Sequence, residues 1–314
     1  MTRAKVLSLG EMPDVERQLE SAFELVRGDA GLAAHGPAIR AIVTRGRDRI
    51  GEEMLARLPA VELIANFGVG YDSIDVEAAR RHGVVVTNTP DVLNDEVADL
   101  SVALLLATVR QIPQAERYLR SGRWLSGNFP LGPTLRDRTV GLIGMGRIGR
   151  RIAQRLRAFD VPVVYHSRTP QADVPYKHYP DLRAMAADVD TLLAIIPGGA
   201  GTRGIVDASV LAALGPRGIF INVARGSVVD ERALIEALRS KTILAAGLDV
   251  FADEPRVPAA LLDLDNVVLL PHVGSATVYT RGLMGKLVVD NVVSWFEGKG
   301  PVTPVPETPW RRKD

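Results

Sequence analysis

Cysteine is missing from the 314-residue sequence, which excludes disulfides, thiolate metal sites and cysteine nucleophiles. An excess of charge of one sign is missing too: 38 basic and 37 acidic side chains leave a net charge of +1, which argues against a strongly basic nucleic-acid-binding protein. The longest apolar stretch, 97–109, contains Asp99 and is shorter than the ~20 residues that a membrane span needs. Residues 1–10 carry too short an apolar run for a signal peptide. We therefore expect a cytoplasmic protein without nucleic-acid or membrane partners.

Short apolar runs alternate with helical patterns, and at ~100–200 residues per domain the length predicts two domains. Strands are predicted at 5–9, 41–44, 63–66 and 84–87, and in a second series at 139–143, 161–165, 191–196, 219–223, 245–249 and 267–270. Helices are predicted at 13–23, 51–56, 76–82, 95–110, 148–158, 184–187, 208–214, 231–239 and 277–297. The alternation predicts an α/β fold with buried parallel sheets, a loop at 121–135 and an extended tail at 300–314.

A glycine fingerprint, Gly144-Met145-Gly146-Arg147-Ile148-Gly149, follows the apolar strand 140–143 and precedes an amphipathic helix. This strand–turn–helix context is what a dinucleotide site requires. Gly144 would permit the tight turn, Gly146 a close approach of the backbone to a pyrophosphate, and Gly149 close packing of helix and strand. The alternative is a glycine turn in a ligand-free α/β domain.

The residues His166-Ser167-Arg168-Thr169 end the next predicted strand. A site that prefers NAD usually has an acidic residue there, which binds the ribose 2′-hydroxyl. Ser167 and Arg168 suit a 2′-phosphate instead, so we expect NADP(H) to be preferred over NAD(H). The alternatives are that Arg168 stacks on adenine or faces solvent, and that Asp173 reaches back to the ribose.

Polar segments also follow three later strands, at 222–226, 249–255 and 271–275. In doubly wound folds the ligand crevice lies at the carboxyl ends of strands. Taken singly, each candidate side chain in these segments also has an interpretation without catalysis. His272 could be a helix-start residue, Arg225 a surface arginine and Glu254 a turn residue.

Together these segments resemble the D-2-hydroxyacid dehydrogenases. The resemblance runs from about residue 40 to 303, and its motifs are 67–72, 144–149, 222–231, 249–255 and 271–275. Segments 166–169 and 89–95 are most similar to those of the NADPH-dependent glyoxylate, hydroxypyruvate and hydroxyphenylpyruvate reductases. The resemblance implies reduction of a small 2-keto acid to the D-2-hydroxy acid.

The resemblance implies a role for each catalytic residue, and the chemistry of the side chains agrees. Arg225 would hold the substrate carboxylate and polarise the 2-keto oxygen, for which its fixed guanidinium fork is suited. His272 would be the general acid in reduction and the base in oxidation. Glu254 would hydrogen-bond the other ring nitrogen and stabilise the imidazolium.

The resemblance also implies binding residues. Asp249 would contact the nicotinamide amide. On the substrate side, Val69 and Gly70 follow a predicted strand, where backbone N–H groups can bind a carboxylate, and the alternative for this glycine loop is a simple turn. The remaining cofactor-binding residues would be Ile196, Pro197, Thr202, Val223, Ala224 and Gly274. Segment 197–201 departs from the Pro-Leu-Thr-like stretch of the family, which predicts a more flexible loop there.

Two further segments have open interpretations. Arg45 or Arg47 would read the distal group of the substrate, or both would be solvated. The apolar side chains of 124–131 have no local core, and Phe129 or Leu131 would cap an active site or contact a partner in a homodimer. The sequence leaves both the lid and the dimer contact open for this segment.

The resemblance implies two Rossmann-like domains. Residues 99–285 would form a dinucleotide-binding domain inserted into a smaller, flavodoxin-like substrate domain of residues 1–98 and 286–314. The rival enzymes are NAD-linked phosphoglycerate or formate dehydrogenases, and the rival outside catalysis is an NAD(P)(H)-sensing binding protein or corepressor on the same fold. No His or carboxylate spacing is typical of a metal site, so no metal is expected.

Overall fold

Short strands, most of them buried, form two parallel sheets in this protein. The computed structural model describes residues 3–46 and 48–310. In these ranges the strands are β1 Lys5–Leu9, β2 Glu24–Arg27, β3 Ile39–Thr44, β4 Leu63–Asn66, β5 Val85–Thr87, β6 Val140–Ile143, β7 Val163–His166, β8 Lys177–Tyr179, β9 Thr191–Ala194, β10 Ile219–Asn222, β11 Ala245–Leu248 and β12 Val267–Leu269.

Helices connect the strands, and several begin at a side chain that accepts a hydrogen bond from a free backbone N–H group of the first turn. The helices are α1 Pro13–Leu19, α2 Gly28–His35, α3 Glu52–Ala56, α4 Val76–Arg81, α5 Asn94–Val109, α6 Ile112–Arg120, α7 Arg147–Arg157, α8 Leu182–Asp188, α9 Ala208–Leu214, α10 Glu231–Arg239, α11 Ala259–Leu262 and α12 Val278–Phe296. The capping side chains are Asp75, Asp181, Asp207, Asp230 and Thr277. None of the helices in the described ranges combines the length and the apolar character needed to cross a bilayer.

The chain divides into two compact units. The split unit comprises Met1–Leu93 and Thr277–Asp314, and the inserted unit comprises Asn94–Ala276. The boundaries expected from the sequence, after residues 98 and 285, fall inside α5 and α12. Each of these helices is continuous and belongs to one unit, so the chain changes units at their N-terminal ends instead.

The split unit has a five-stranded sheet of order β2-β1-β3-β4-β5, with every pair parallel. This is the order of flavodoxin-like folds. Side chains of α1 and α12 pack on one face of the sheet, and side chains of α2, α3 and α4 pack on the other. Because helices cover both faces of this sheet, its central strands are continuous apolar runs in the sequence.

The inserted unit has a seven-stranded parallel sheet of order β12-β11-β10-β9-β6-β7-β8. Helices α5 and α7 cover one face, and α8, α9 and α10 cover the other. From β6 the chain proceeds outward to β7 and β8, then returns to place β9 on the opposite side of β6. The crevice between β6 and β9 is therefore the topological switch point, where such sheets bind ligands. The predicted α/β class with two Rossmann-like units is confirmed.

The predicted extended tail is docked along the split unit. Pro304 forms an antiparallel bridge with Thr87, and the Thr308 hydroxyl accepts a hydrogen bond from the Val86 N–H at 2.9 Å. The Tyr71 hydroxyl donates to the Glu307 carboxylate at 3.1 Å. Burial and this carboxylate raise the pKa of Tyr71 to about 12. Residues 311–314 of the predicted tail lie outside the described residues.

Candidate active site

The glycine fingerprint makes a tight turn between β6 and α7. Gly144 has a φ of +110°, and a Cβ there would lie 2.8 Å from Ile196 Cγ2 and 3.0 Å from the Ile195 carbonyl oxygen. A Cβ on Gly149 would overlap the carbonyl oxygen of Gly144. By contrast, a Cβ on Gly146 would meet nothing within 4 Å, so the turn is open on that side. Helix α7 starts there, with Gly146 as its N-cap and no side chain capping it, and the N–H groups and positive dipole end of a helix N-terminus suit a pyrophosphate.

The end of β7 carries the residues expected to choose between NADP and NAD. Arg168 and Thr169 are exposed, and the Ser167 hydroxyl donates to the Thr169 carbonyl at 2.7 Å. Asp173 is paired with Arg150, whose two terminal nitrogens donate to its two carboxylate oxygens at 2.7 and 2.8 Å. This guanidinium lowers the pKa of Asp173. The carboxylate that was the candidate for a ribose contact is thus engaged by Arg150.

A side-chain hydrogen bond joins the two ends of the glycine-rich loop after β9. The Thr202 hydroxyl donates to the Pro197 carbonyl at 2.8 Å and also lies 3.3 Å from the Gly199 carbonyl oxygen. Ile196, which precedes the loop, lies against the Gly144 turn. The loop that departs from the family pattern is therefore closed by Thr202.

A buried asparagine shapes the turn that carries Arg225. The Asn222 amide nitrogen donates to the Arg225 carbonyl at 2.9 Å, and its oxygen accepts from the Ala224 N–H at 3.1 Å. Arg225 in turn donates from Nη1 to the Ala224 carbonyl at 2.8 Å. The adjacent Val223 and Ala224 are buried, so they present mainly backbone at this sheet edge.

Asp249 is 2% exposed and holds the segment that follows β12. Its Oδ1 accepts from the Val273 N–H at 2.7 Å, and its Oδ2 accepts from the Gly274 N–H at 2.8 Å. Burial raises the pKa of Asp249 against the opposing effect of these two N–H donors. The carboxylate therefore braces the two residues directly after His272.

His272 forms a close pair with Glu254. Its Nδ1 lies 2.7 Å from Glu254 Oε2, and Glu254 Oε1 accepts from the Phe251 N–H at 3.2 Å. Burial opposes ionisation of Glu254, but the hydrogen bond and charge of His272, with help from Arg225, hold the Glu254 pKa below its usual value. The His272 side chain is 41% exposed, and its Nε2 has no hydrogen-bond partner among residues 3–46 and 48–310.

The structure thus brings Arg225, Asp249, Glu254 and His272 to the carboxyl ends of β10, β11 and β12 in the inserted unit. His272 itself has a φ of +55°, a left-handed conformation that is uncommon for a histidine. Strain of this kind persists where surrounding contacts hold it, and here Asp249 and Glu254 supply them. The described residues contain no group of three or more His, Cys, Asp or Glu side chains that could hold a metal ion.

Other predicted site residues lie elsewhere. Val69 and Gly70 follow β4 in the split unit. Arg45 is exposed and donates to the Glu11 carbonyl at 3.2 Å, while Arg47 lies outside the described residues.

The irregular segment after α6 has some internal order. Phe129 packs edge-on against Tyr118 with ring centres 5.4 Å apart, and the Tyr118 hydroxyl donates to the Gly127 carbonyl at 2.9 Å. Leu131 is fully exposed, and Trp124 and Leu125 are 64% and 95% exposed. Phe129 is therefore anchored within the inserted unit, whereas Leu131 has no apolar neighbour of its own unit to cover it.

Comparison with known proteins identifies the family of the chain. The model of the family described as D-isomer specific 2-hydroxyacid dehydrogenase, NAD binding domain, matches residues 102–274. Glyoxylate/hydroxypyruvate reductase A of Arabidopsis thaliana is 44% identical over 93% of this chain and 95% of its own length. Hydroxyphenylpyruvate reductase of Plectranthus scutellarioides is 42% identical over the same shares.

Among solved structures, one similar chain is the NADPH-dependent glyoxylate/hydroxypyruvate reductase of Sinorhizobium meliloti in complex with NADP and malonate. The two chains are 51% identical, each is covered completely, and the TM-score is 0.95. The family model spans more than half of this chain, and each relative is matched over nearly its whole length. The chain therefore belongs to the D-isomer specific 2-hydroxyacid dehydrogenase family, whose members include keto-acid reductases.

Proposed function

We propose that this protein reduces a small 2-keto acid, such as glyoxylate, hydroxypyruvate or hydroxyphenylpyruvate, to the D-2-hydroxy acid with NADPH. The observation that carries the proposal is the His272–Glu254 pair, because its geometry suits proton transfer. Glu254 occupies Nδ1 and orients the ring, which leaves the exposed Nε2 as the atom that would donate the proton. The names of the similar proteins support the same class of substrate.

In this proposal the cofactor, when bound, supplies the hydride that reaches C2 of the keto acid. Arg225 holds the substrate carboxylate and polarises the keto oxygen, and Val69 and Gly70 bind the same carboxylate through their N–H groups. His272 gives the proton on Nε2 to the oxygen, so that the ketone becomes an alcohol and the imidazolium becomes neutral. In the reverse oxidation His272 takes the proton back.

The residues that would hold the cofactor all belong to the inserted unit. The turn at Gly144–Gly149 fits a pyrophosphate because of the close packing at Gly149 and the open space at Gly146. The other proposed cofactor-binding residues are Ser167, Arg168, Thr169, Ile196, Pro197, Thr202, Val223, Ala224, Asp249 and Gly274. Asp249 would reach the nicotinamide amide while its oxygens also accept from the backbone of Val273 and Gly274.

The proposal is tested by initial rates of reduction of glyoxylate, hydroxypyruvate and hydroxyphenylpyruvate with NADPH and with NADH. Turnover of at least one keto acid, faster with NADPH, is expected. Tight nucleotide binding without turnover of any keto acid would instead favour a nucleotide-sensing binding protein. Preferential use of 3-phosphoglycerate or formate with NAD would favour the two rival dehydrogenases.

The preference for NADPH is proposed to depend on Arg168. Replacement of Arg168 by alanine should lower kcat/KM with NADPH by about 10–100-fold, because a charge-assisted bond to a phosphate is lost. The rates with NADH should change little. The matched control is Arg157→Ala, which removes an exposed arginine from the last turn of α7, at the end away from the glycine turn. An equal loss with both cofactors would refute the proposed contact with the 2′-phosphate.

We also propose that the protein is a homodimer in which exposed apolar side chains of segment 112–131 contact the partner. No residue of α6 is buried, and its apolar side chains Ile112 and Leu119 are more than half exposed. Such a surface usually marks an interaction site. The double substitution Leu125→Asp and Leu131→Asp should convert dimers to monomers in analytical ultracentrifugation. Leu262→Asp, at an exposed leucine of α11, should leave the dimer intact. A wild-type monomer at micromolar concentration would contradict this proposal.

A further inference from the structure

The loop after β4, Phe67-Gly68-Val69-Gly70, has its carbonyl groups held by two asparagine side chains. The Asn66 amide nitrogen lies 3.1 Å from the Gly68 carbonyl oxygen and 3.0 Å from that of Gly70, and it donates to both. The Asn88 amide nitrogen donates to the Val69 carbonyl at 2.9 Å. The Gly68 carbonyl also accepts from the Thr89 N–H at 2.9 Å. The carbonyl groups of three successive residues thus accept hydrogen bonds from neighbouring residues of the same unit.

The direction of these carbonyls decides the direction of two N–H groups. A peptide unit is planar and trans, so its N–H points away from its C=O. The Gly68 carbonyl and the Val69 N–H share one plane, and the Val69 carbonyl and the Gly70 N–H share the next. Neither of these two N–H groups donates to an acceptor within the described part of the chain. The asparagines therefore present two adjacent, uncommitted donors.

Among the described residues, the side-chain amide of Asn66 serves as a hydrogen-bond donor only. The residue is 1% exposed and both hydrogens of its amide serve the loop, but its oxygen accepts no hydrogen bond from any described residue. A buried acceptor without a donor is a cost to stability. The contribution of this side chain to the loop therefore comes from its N–H donors, because an acceptor at this place would repel the two carbonyl oxygens.

We propose that Asn66 and Asn88 are positioning residues that hold the Val69 and Gly70 N–H groups as a preorganised site for the substrate carboxylate. This inference rests on the proposed function, in which these two N–H groups bind that carboxylate. Neither asparagine touches the substrate. Each acts by fixing a peptide plane, so that no reorientation of the loop is required when the anion arrives.

The test compares Asn66→Ala and Asn88→Ala with the matched control Asn266→Ala. Asn266 also donates from its amide nitrogen to two backbone carbonyls, those of Leu238 and Leu244 at 3.2 and 3.1 Å, but it precedes β12 in the inserted unit. KM and kcat for hydroxypyruvate are measured, with the inhibition constant of malonate and the dissociation constant of NADPH.

Asn66→Ala and Asn88→Ala should each raise KM and the malonate inhibition constant by about tenfold or more, since a charge-assisted bond is weakened. The fall in kcat should be smaller, and NADPH binding should be unchanged. The control should lose stability without a change in KM. An unchanged KM in both variants, or the same rise in the control, would overturn the proposal.

Two provisions keep the result decisive. If Asn66→Ala does not fold, Asn88→Ala decides alone, because Asn88 is only half-buried and braces a single carbonyl. If the wild type reduces no keto acid, the proposed function fails, and malonate binding by calorimetry still tests the loop. Weaker malonate binding in the variants would then support the N–H site, and equal binding would refute it.

Discussion

Replacement of His272 by glutamine is expected to lower kcat for keto-acid reduction by about 10²–10⁴-fold, the usual contribution of a general acid or base. Glutamine retains hydrogen-bonding capacity but cannot deliver a proton at neutral pH. The dissociation constant of NADPH should stay near the wild-type value, because no proposed cofactor contact is removed. Steady-state rates with hydroxypyruvate and fluorescence titration with NADPH measure the two quantities separately.

The chain offers a matched control for this variant. His82 in the split unit is also paired with a glutamate, its Nε2 lying 2.7 Å from Glu52 Oε1. His82→Gln removes a histidine–carboxylate pair of the same length from the protein surface and should leave kcat unchanged. Comparable losses of kcat in both variants, or full activity of His272→Gln, would exclude His272 as the proton donor.

Gly226→Ala should strongly destabilise the protein. A Cβ at this position would overlap the backbone carbonyl of Phe251 and the backbone nitrogen of Ala252. Because backbone cannot yield as a flexible side chain does, the loops that carry Arg225 and Glu254 must separate. Overpacking in a core typically costs about 1–3 kcal/mol, and we expect a loss of about 3 kcal/mol or more in the free energy of unfolding. Urea denaturation measures this loss, and kcat/KM should fall with it.

Gly282→Ala is the control for Gly226→Ala. Gly282 lies in α12, is exposed, and has nothing within 4 Å of an added Cβ. Alanine there should raise the free energy of unfolding by up to about 1 kcal/mol, since alanine is the better helix former. Wild-type stability of Gly226→Ala would show that the two loops separate at little cost and that their close packing does not hold the site.

The elements that the sequence analysis identified are those with a strong apolar signal. Strands β6, β9, β10 and β11 are buried throughout, and their continuous apolar runs show it. The missed strands β2 and β8 lie at sheet edges, where exposed side chains such as Glu24 and Lys177 interrupt the pattern. Helix α2, which opens with glycine, was missed, and so was α6, which buries nothing in its own unit.

For the site, the glycine fingerprint and the three polar strand ends were visible in the sequence, and the resemblance to a family supplied the roles. The supporting contacts were not visible. Asn66 and Asn222 have a common signal, a polar residue at the last position of an apolar strand, but their hydrogen bonds depend on how the following turn folds back. The pairing of Arg150 with Asp173 joins a helix to a distant loop, which local patterns do not specify.

The way in which the chain is divided has a consequence for its synthesis. Residues 94–276 are one continuous piece, whereas the split unit needs segments from both ends. Translation adds about 5–20 residues per second. The inserted unit can therefore be complete before the ribosome has added Pro304 and Thr308, which pair with residues of β5. The first 93 residues must therefore stay competent to fold, without α12 to cover one face of their sheet, until the ribosome has made the rest.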